Sequence, residues 1–334
     1  MSETTEQFIS IAHLAASGRR PAETPRRQPS VAVLIPCFNE ESSIGTVIDD
    51  FRAALPGAAI HVYDNNSTDR TASVARAHGA MVGSESLQGK GHVVRRMFAD
   101  IDADVYVLVD GDDTYDAKVA PGMTKLLLER RLDMVSAVRD TPEPEAYRLG
   151  HRLGNAILTG MVRRVFGSGI SDMLSGYRVF SRRFVKSFPA LAGGFETETE
   201  FTVHALALNM PVAEVRSAYR SRPAGSHSKL NTIPDGLRIL REIVTLIEHE
   251  RPLTFSAVVM AVLISLALAL GLPVIITFLH TGLVDRLPTA VLSASLVLLA
   301  SLSLGCGLIL DAVTHGRKEM KRLAYLAIPP PPVP

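Results

Sequence analysis

The chain has 334 residues, 47 % of them hydrophobic, which is enough for a full core and a second module. Its 35 basic and 34 acidic residues leave a formal net charge of +1, which excludes a protein built to neutralise a long tract of nucleic-acid phosphates. Two cysteines, Cys37 and Cys306, lie in segments of opposite character; this excludes a disulfide scaffold and suits a reducing cytosol.

Residues 1–30 place Arg19, Arg20, Arg26 and Arg27 among Pro and Ser, with no apolar run of a secretory signal, and read as a flexible basic arm. Val31–Ile35 is then a short apolar run ending at Pro36, and Glu41–Ala54 sets Ile44, Val47, Ile48 and Phe51 at helical spacing. The alternation repeats with Ile60–Tyr63 before Thr68–His78, and with Val105–Val109 before Ala117–Arg130. Strand and helix in this order predict an α/β domain with a mostly parallel sheet and crossover helices. Ligands of such sheets sit beyond the carboxyl ends of the strands, where Pro36–Glu40, Asp64–Asp69 and Asp110–Asp113 fall. Thr68 and Asp69 are expected to cap the following helix.

Asp110-Gly111-Asp112 puts two carboxylates around a glycine at a strand end, a pattern suited to a hard divalent cation that also grips a diphosphate. Pro36-Cys-Phe-Asn-Glu40, Asp64-Asn-Asn-Ser-Thr-Asp69, Gly89-Lys-Gly91 and Asp110-Gly-Asp112 stand in this order along the chain. In that order and spacing they resemble the family 2 glycosyltransferases, over roughly residues 31 to 229, and within them the polyprenyl-phosphate sugar transferases. The resemblance implies a GT-A type nucleotide-sugar domain over 31–230 and Mg2+ or Mn2+ at Asp110 and Asp112. It implies that Pro36, Phe38, Glu40, Asp64, Asn65 and Lys90 serve the nucleotide. Asn65 and Asn66 replace an Asp-Gly common in the family, so uracil and guanine both stay open as the base.

Asp172-Met-Leu-Ser-Gly-Tyr-Arg178 and Gly194-Phe-Glu-Thr-Glu-Thr-Glu200 resemble the acceptor-side motifs of the same family, in which an Asp and an Arg frame the floor and a glutamate faces the sugar. Asp172 and Glu200 are the catalytic candidates there, with Glu196 and Glu198 as alternatives to Glu200; Glu200 in a first helical turn also has a plain electrostatic role. Arg222-Pro-Ala-Gly-Ser-His-Ser-Lys229 resembles a phosphate-gripping loop, in which Arg222 and Lys229 would hold the diphosphate. Arg139, Arg148, Arg152, Arg178 and Ser228 are the candidates for a lipid phosphate. Arg148 and Arg152 are four apart and share a face if helical.

Asp235–Glu250 has an amphipathic pattern suited to a bilayer interface, within a juxtamembrane segment 231–252. Leu253–Leu279 and Leu287–Leu310 contain no charged residue and are each long enough to span a hydrocarbon core, so 253–310 reads as a two-helix transmembrane hairpin. Pro273 is a candidate kink. Arg and Lys flank the hairpin at its outer ends, against Arg286 alone in the loop, which predicts both termini in the cytoplasm of a cell whose inner membrane holds the protein. Residues 311–334 read as a cytoplasmic tail.

The expected reaction is transfer of one sugar, with inversion, from a UDP-hexose, a UDP-N-acetylhexosamine or GDP-mannose to a polyprenyl phosphate in contact with membrane lipid. Other lipid or glycan hydroxyls as acceptor, and a non-catalytic adaptor that binds nucleotide sugar, are the alternatives; a homo-oligomer stays open. A nicotinamide site would need its glycine fingerprint directly after the first strand, and a P-loop would need Ser or Thr after Gly89-Lys90, where Gly91 stands. Processive synthases of the same broad family use a Trp-containing acceptor motif, and this chain has no Trp.

Overall fold

A computed structural model describes residues 28–140, 171–194, 196–220 and 251–331. Its centre is a seven-stranded sheet in the order β3-β2-β1-β4-β6-β5-β7. The strands are β1 Val31–Cys37, β2 Ala59–Asp64, β3 Met81–Ser84, β4 Val105–Leu108, β5 Met134–Asp140, β6 Arg178–Ser181 and β7 Val212–Ala218. Only β6 runs against its neighbours; β1, β2, β3 and β4 are parallel, as are β5 and β7. The sheet is therefore mostly parallel, as expected.

The central strands are buried on both faces, which is why Val105-Tyr-Val-Leu108 is apolar at every position rather than at alternate ones. Helices α1 Ile44–Ala54, α2 Thr71–Ala77 and α4 Ala120–Glu129 cover one face, α4 following a short 3-10 turn at Ala117–Val119. Helices α3 Lys90–Asp100, α5 Arg182–Ser187 and α6 Thr197–Ala207 cover the other. Phe98, Phe180, Phe184, Phe188 and Phe201 form one aromatic cluster between the sheet and these helices. From β1 the chain steps outward to β2 and β3, then returns to β4 on the other side of β1. The carboxyl ends of β1 and β4 thus flank a topological switch point, the crevice where open α/β sheets bind ligands.

The helix starts are shorter than the periodicity suggests. Residues 41–43 form a turn before α1, and the N-cap of α2 is Arg70 rather than Thr68 or Asp69; Asp69, one residue earlier, accepts the Thr71 N–H on Oδ1 at 2.9 Å. Thr68 instead donates its N–H to Asn39 Oδ1 at 2.8 Å.

Two helices, α7 Pro252–Thr281 and α8 Leu287–Leu326, are long and apolar enough to cross a membrane, with mean hydropathies of 2.8 and 2.2 over their most apolar windows. They pack as a hairpin through small residues: a Cβ at Gly271 would meet Ser293 Oγ at 2.4 Å, and one at Gly307 would meet Ser256 Cβ at 2.5 Å. Pro273 lies inside α7 without ending it. The expected tail from residue 311 is helical to Leu326: the first charge after the apolar run marks the end of the lipid-compatible stretch, not the end of the helix. Both cysteines are free. The basic arm up to residue 27, Arg148, Arg152, the Arg222–Lys229 loop with Ser228, and the amphipathic segment 235–250 lie outside the described residues.

Candidate active site

Three strand ends and two later turns build the site. After β1 the chain turns through Asn39 in a left-handed conformation (φ 53°), and its N–H and side chain tie it to Ser67 and Thr68 beyond β2. Glu40, buried, donates its N–H to Thr71 Oγ1 at 2.8 Å, and Ser43 Oγ donates to the carbonyl of Gly111 at 2.7 Å. The first, second and fourth strand ends are thus cross-braced before any ligand arrives. Pro36 and Phe38 sit at the end of β1, beside this brace. Asp64, the last residue of β2, accepts the Ser67 N–H on Oδ2 at 3.2 Å, while its buried Oδ1 has no hydrogen-bond partner. An acceptor oxygen without a donor is a place for an N–H or hydroxyl of a nucleoside.

Asn65 has a different task from the nucleotide contact expected of it. Its Nδ2 donates to the carbonyls of Glu85 and Leu87, and its Oδ1 accepts from Gly89 N–H at 2.7 Å. Buried and with three of its bonds made to one loop, Asn65 shapes the approach to α3 rather than facing a ligand.

The centre of the site is a charge cluster. Lys90, the first residue of α3, is buried and contacts Asp110 Oδ1 as well as Glu198 Oε1, the latter at 2.5 Å. Burial works against its ammonium charge, but the two carboxylates more than offset that, so Lys90 is held far above its ordinary pKa. Burial also pushes Glu198 above the usual carboxyl range; the pull of Lys90, itself opposed by the nearby Asp110 charge, does not cancel it. Glu198 Oε2 is buried with no partner, a second acceptor aimed into the cluster. Asp112 is buried and accepts from Thr114 Oγ1 at 2.7 Å. Gly111, between the two aspartates, has no space for a side chain, since a Cβ there would lie 2.7 Å from Cys37 Sγ.

The turn before β6 forms the wall behind Asp110: a Cβ at Gly176 would lie 2.2 Å from Asp110 Oδ2, so this approach requires glycine. Asp172, in the same turn, is clamped by Arg139 in a two-pronged pair of 2.7 and 2.8 Å. Burial pushes the Asp172 carboxyl up, but the hydrogen bonds and charge of Arg139 outweigh it and hold the group below the usual range. Arg139 and Asp172, expected at the lipid phosphate and in catalysis, therefore meet one another. A carboxyl lowered in the folded state contributes stability that is present above its ordinary value and lost as pH falls through the folded one. Asp172→Asn is accordingly expected to lower the thermal midpoint at pH 7, with the gap from the parent narrowing as pH falls below about 3.9 in a pH series of melts.

Arg178, a candidate for the lipid phosphate, spends its guanidinium inside the fold. It is fully buried, and its guanidinium donates to the carbonyls of Ser175 (3.0 Å) and Met173 (2.6 Å) and to Thr202 Oγ1 (2.9 Å). It pins the turn to α6 and lies over the Phe201 ring, and burial pushes its pKa down to about 10.

Among the three glutamates of the later motif, Glu198 is the one in the charge cluster. Glu200, the catalytic candidate, accepts the N–H groups of Leu191 and Ala192, both at 3.0 Å, and so fixes the loop before α6. That loop rests on the Gly89-Lys-Gly91 turn so closely that a Cβ at Gly91 would lie 2.1 Å from the Ala192 carbonyl oxygen. Glycines on both sides of Lys90 let the loop press the lysine between its two carboxylates. Glu198 was among the three glutamates that the motif offered, and it is the pairing with Lys90 that distinguishes it from the other two.

Among the described residues, no three Asp, Glu, His or Cys side chains converge to hold an ion alone. Asp110 and Asp112 are hard oxygen donors around a glycine, a set that fits a divalent cation whose remaining ligands come from a diphosphate. Beyond the end of β7, Arg220 N–H donates to the Thr114 carbonyl at 2.9 Å, which ties the last described residue of this segment to the turn after Asp112.

Residues 32–188 match glycosyl transferase family 2. The glycosyltransferase AglJ of Haloferax volcanii is 31 % identical over 299 residues, 89 % of this chain and 98 % of that protein. The chain belongs to glycosyltransferase family 2. A dolichyl-phosphate hexose transferase of the same organism is 29 % identical over 66 % of this chain and 95 % of its own length. Glucosyl-3-phosphoglycerate synthase of Mycobacterium tuberculosis, solved with Mn2+, UDP-glucose and phosphoglyceric acid, superposes with a TM-score of 0.52 at 24 % identity, over 69 % of this chain and 85 % of that one. The likeness shows the GT-A fold. This chain is thus a glycosyltransferase with a nucleotide-sugar fold, followed by two helices that are able to span a membrane.

Proposed function

We propose that the protein transfers a single sugar from a nucleotide sugar, a UDP-hexose, UDP-N-acetylhexosamine or GDP-mannose, to a polyprenyl phosphate at the cytoplasmic face of a membrane. The observation that carries this reading is one chain in which the Lys90–Asp110–Glu198 cluster belongs to a domain joined to two apolar helices. The relative named a dolichyl-phosphate hexose transferase supports a lipid phosphate as acceptor. The Lys and Arg bias at the outer ends of the hairpin supports cytoplasmic termini.

The chemistry of such an acceptor suits the residues present. A sugar hydroxyl needs a base to take its proton, whereas a phosphate monoester, with a second pKa of about 6, is already a dianion at neutral pH. One phosphate oxygen forms a bond to the anomeric carbon as the bond from that carbon to the diphosphate oxygen breaks, with inversion, and the nucleoside diphosphate leaves with the electron pair. Asp64 and the Pro36–Glu40 turn receive the nucleoside, and Glu198 faces the sugar hydroxyls with its unpartnered oxygen. Lys90 keeps Asp110 and Glu198 at fixed separation, so little reorganisation is needed at the reacting centre. Mg2+ or Mn2+, which Asp110 and Asp112 would hold, supplies charge stabilisation to the departing diphosphate. Arg222 and Lys229 are proposed for the diphosphate, and Arg148, Arg152 and Ser228 for the lipid phosphate.

The test is to supply membranes containing the protein with a panel of UDP- and GDP-sugars and a polyprenyl phosphate, and to read the lipid by mass spectrometry. A product heavier by one sugar is expected from one donor, and from none when the acceptor is a polyprenol lacking the phosphate. Equal transfer to the free alcohol would overturn the choice of acceptor.

A further inference from the structure

The second apolar helix does not stop where its apolar run stops. Asp311–Leu326 continues α8 past the uncharged stretch by 16 residues, about 24 Å at 1.5 Å per residue. Its last turn is docked on the catalytic domain. Tyr325 packs against the aromatic core beneath α5 and donates its hydroxyl to Asp133 Oδ2 at 2.8 Å. Asp133 is fully buried and also accepts from Ser181 Oγ at 2.7 Å and from Arg183 Nε at 2.5 Å. The Arg183 guanidinium lies over the Tyr325 ring, 4.8 Å from its centre. Lys321, one turn earlier, lies near enough to His204 to add to the effect of burial, which pushes that imidazole down to about 3 and keeps it neutral.

The place of this contact on the sheet matters. Asp133 immediately precedes β5, whose Met134 pairs with Phe180, whereas Asp110 follows β4, whose Leu108 pairs with Arg178. Because β4 and β5 both run against β6, Asp133 and Asp110 lie at opposite ends of the strands. The helix therefore grips the sheet on the edge away from the acidic cluster. From Leu310 to Tyr325 the helix rises about 22 Å. The seven residues of β5 span about 23 Å. The strut and the strand are thus of about the same length.

We infer that α8 beyond Leu310 is a rigid strut, with Tyr325 and Asp133 as positioning residues, that holds the acidic cluster at the height of the lipid headgroups and so presents it to a membrane-embedded phosphate. The strut rests on the proposed lipid-phosphate acceptor for its purpose, but the docking itself does not. Tyr325 touches neither donor nor acceptor; it acts through the pose of the whole domain. The α/β core has its own hydrophobic interior on both faces of the sheet, and an acceptor that diffuses from water needs no fixed height.

The experiment uses the full chain in phosphatidylethanolamine–phosphatidylglycerol liposomes and compares the parent with Tyr325→Ala and with a single alanine inserted after Gly316. The insertion turns Tyr325 about 100° off its site without removing it. Tryptic cleavage at Arg317–Arg322 reads docking with no acceptor present, and both variants should be cut faster. Transfer is then measured to a long-chain polyprenyl phosphate in the bilayer and to geranyl phosphate added from water. The apparent KM for the embedded acceptor should rise about tenfold in both variants, the scale of a lost effective concentration, with kcat/KM for geranyl phosphate and the affinity for nucleoside diphosphate unchanged. Equal losses on both acceptors, or an unchanged tryptic rate, would overturn the strut. If the parent uses neither prenyl phosphate, the proposed acceptor falls, and the tryptic rate alone decides whether α8 is docked.

Discussion

Asp112→Asn is expected to lower transfer by at least about a thousandfold while the protein still folds and inserts into membranes, the scale set by removing a group that stabilises charge on a leaving group. The substitution keeps the shape and leaves an oxygen for the Thr114 hydroxyl, which now donates to Asp112 at 2.7 Å, so the local turn has no reason to collapse. What it removes is one negative charge of the Asp110–Asp112 pair. Since no third carboxylate, histidine or cysteine among the described residues can make up the deficit, retention of a divalent cation with the diphosphate should fail. Calorimetric titration with the nucleoside diphosphate should show the same: Mn2+ strengthens binding to the parent and not to the variant. A chelator should reproduce the loss of transfer in the parent. Full activity of Asp112→Asn in the presence of chelator would remove the metal from the proposal altogether.

The alternation of strand and helix was legible because each apolar run has its own length and period, and three acidic or amide clusters at strand ends mark the ligand edge in the sequence itself. The reversal of β6 was not legible: Val179 and Phe180 read the same in either direction, and direction is set by the chain on either side. Arg178 illustrates a deeper limit. Its partners are two main-chain carbonyls, a methionine sulfur and Thr202, none of which marks itself in the sequence as a receptor for a guanidinium, so a fully buried arginine looks like any other basic residue. Asn65 and Glu200 mislead for the same reason, since both spend their side chains on backbone groups, Asn65 on a loop at least 20 residues away and Glu200 on the loop just before its own helix. The α8 extension was hidden by charge. Asp311 ends the lipid-compatible stretch and Arg317, Lys318, Glu319, Lys321 and Arg322 follow it, yet these five are good helix formers, and the docking of Tyr325 shows why the helix continues.

Glu198→Gln is expected to separate function from stability. The Glu198 carboxyl is buried, one of its oxygens has no partner, and burial pushes its pKa above the ordinary 4.5. A carboxyl raised on folding binds its proton more tightly in the native state, so its contribution to stability falls as pH rises from 4.5 through the folded value. At neutral pH the parent therefore carries a cost that the neutral amide does not, while the amide oxygen still accepts from Lys90. Thermal midpoints of Glu198→Gln at pH 7 should stay close to those of the parent, because relief of the burial cost of Glu198 is set against the loss of its attraction for the buried Lys90 charge. Transfer, by contrast, should fall by about a hundredfold or more, because Lys90 would keep only one charged partner, Asp110, and the oxygen proposed to face the sugar would lose its charge. The loss should appear in kcat, since Asp64 and the Pro36–Glu40 turn, proposed to receive the nucleoside, are left unchanged. A variant that melts well below the parent at pH 7 while keeping its turnover would make the Lys90–Glu198 pair a structural ion pair, and the sugar would then have to be read by another residue.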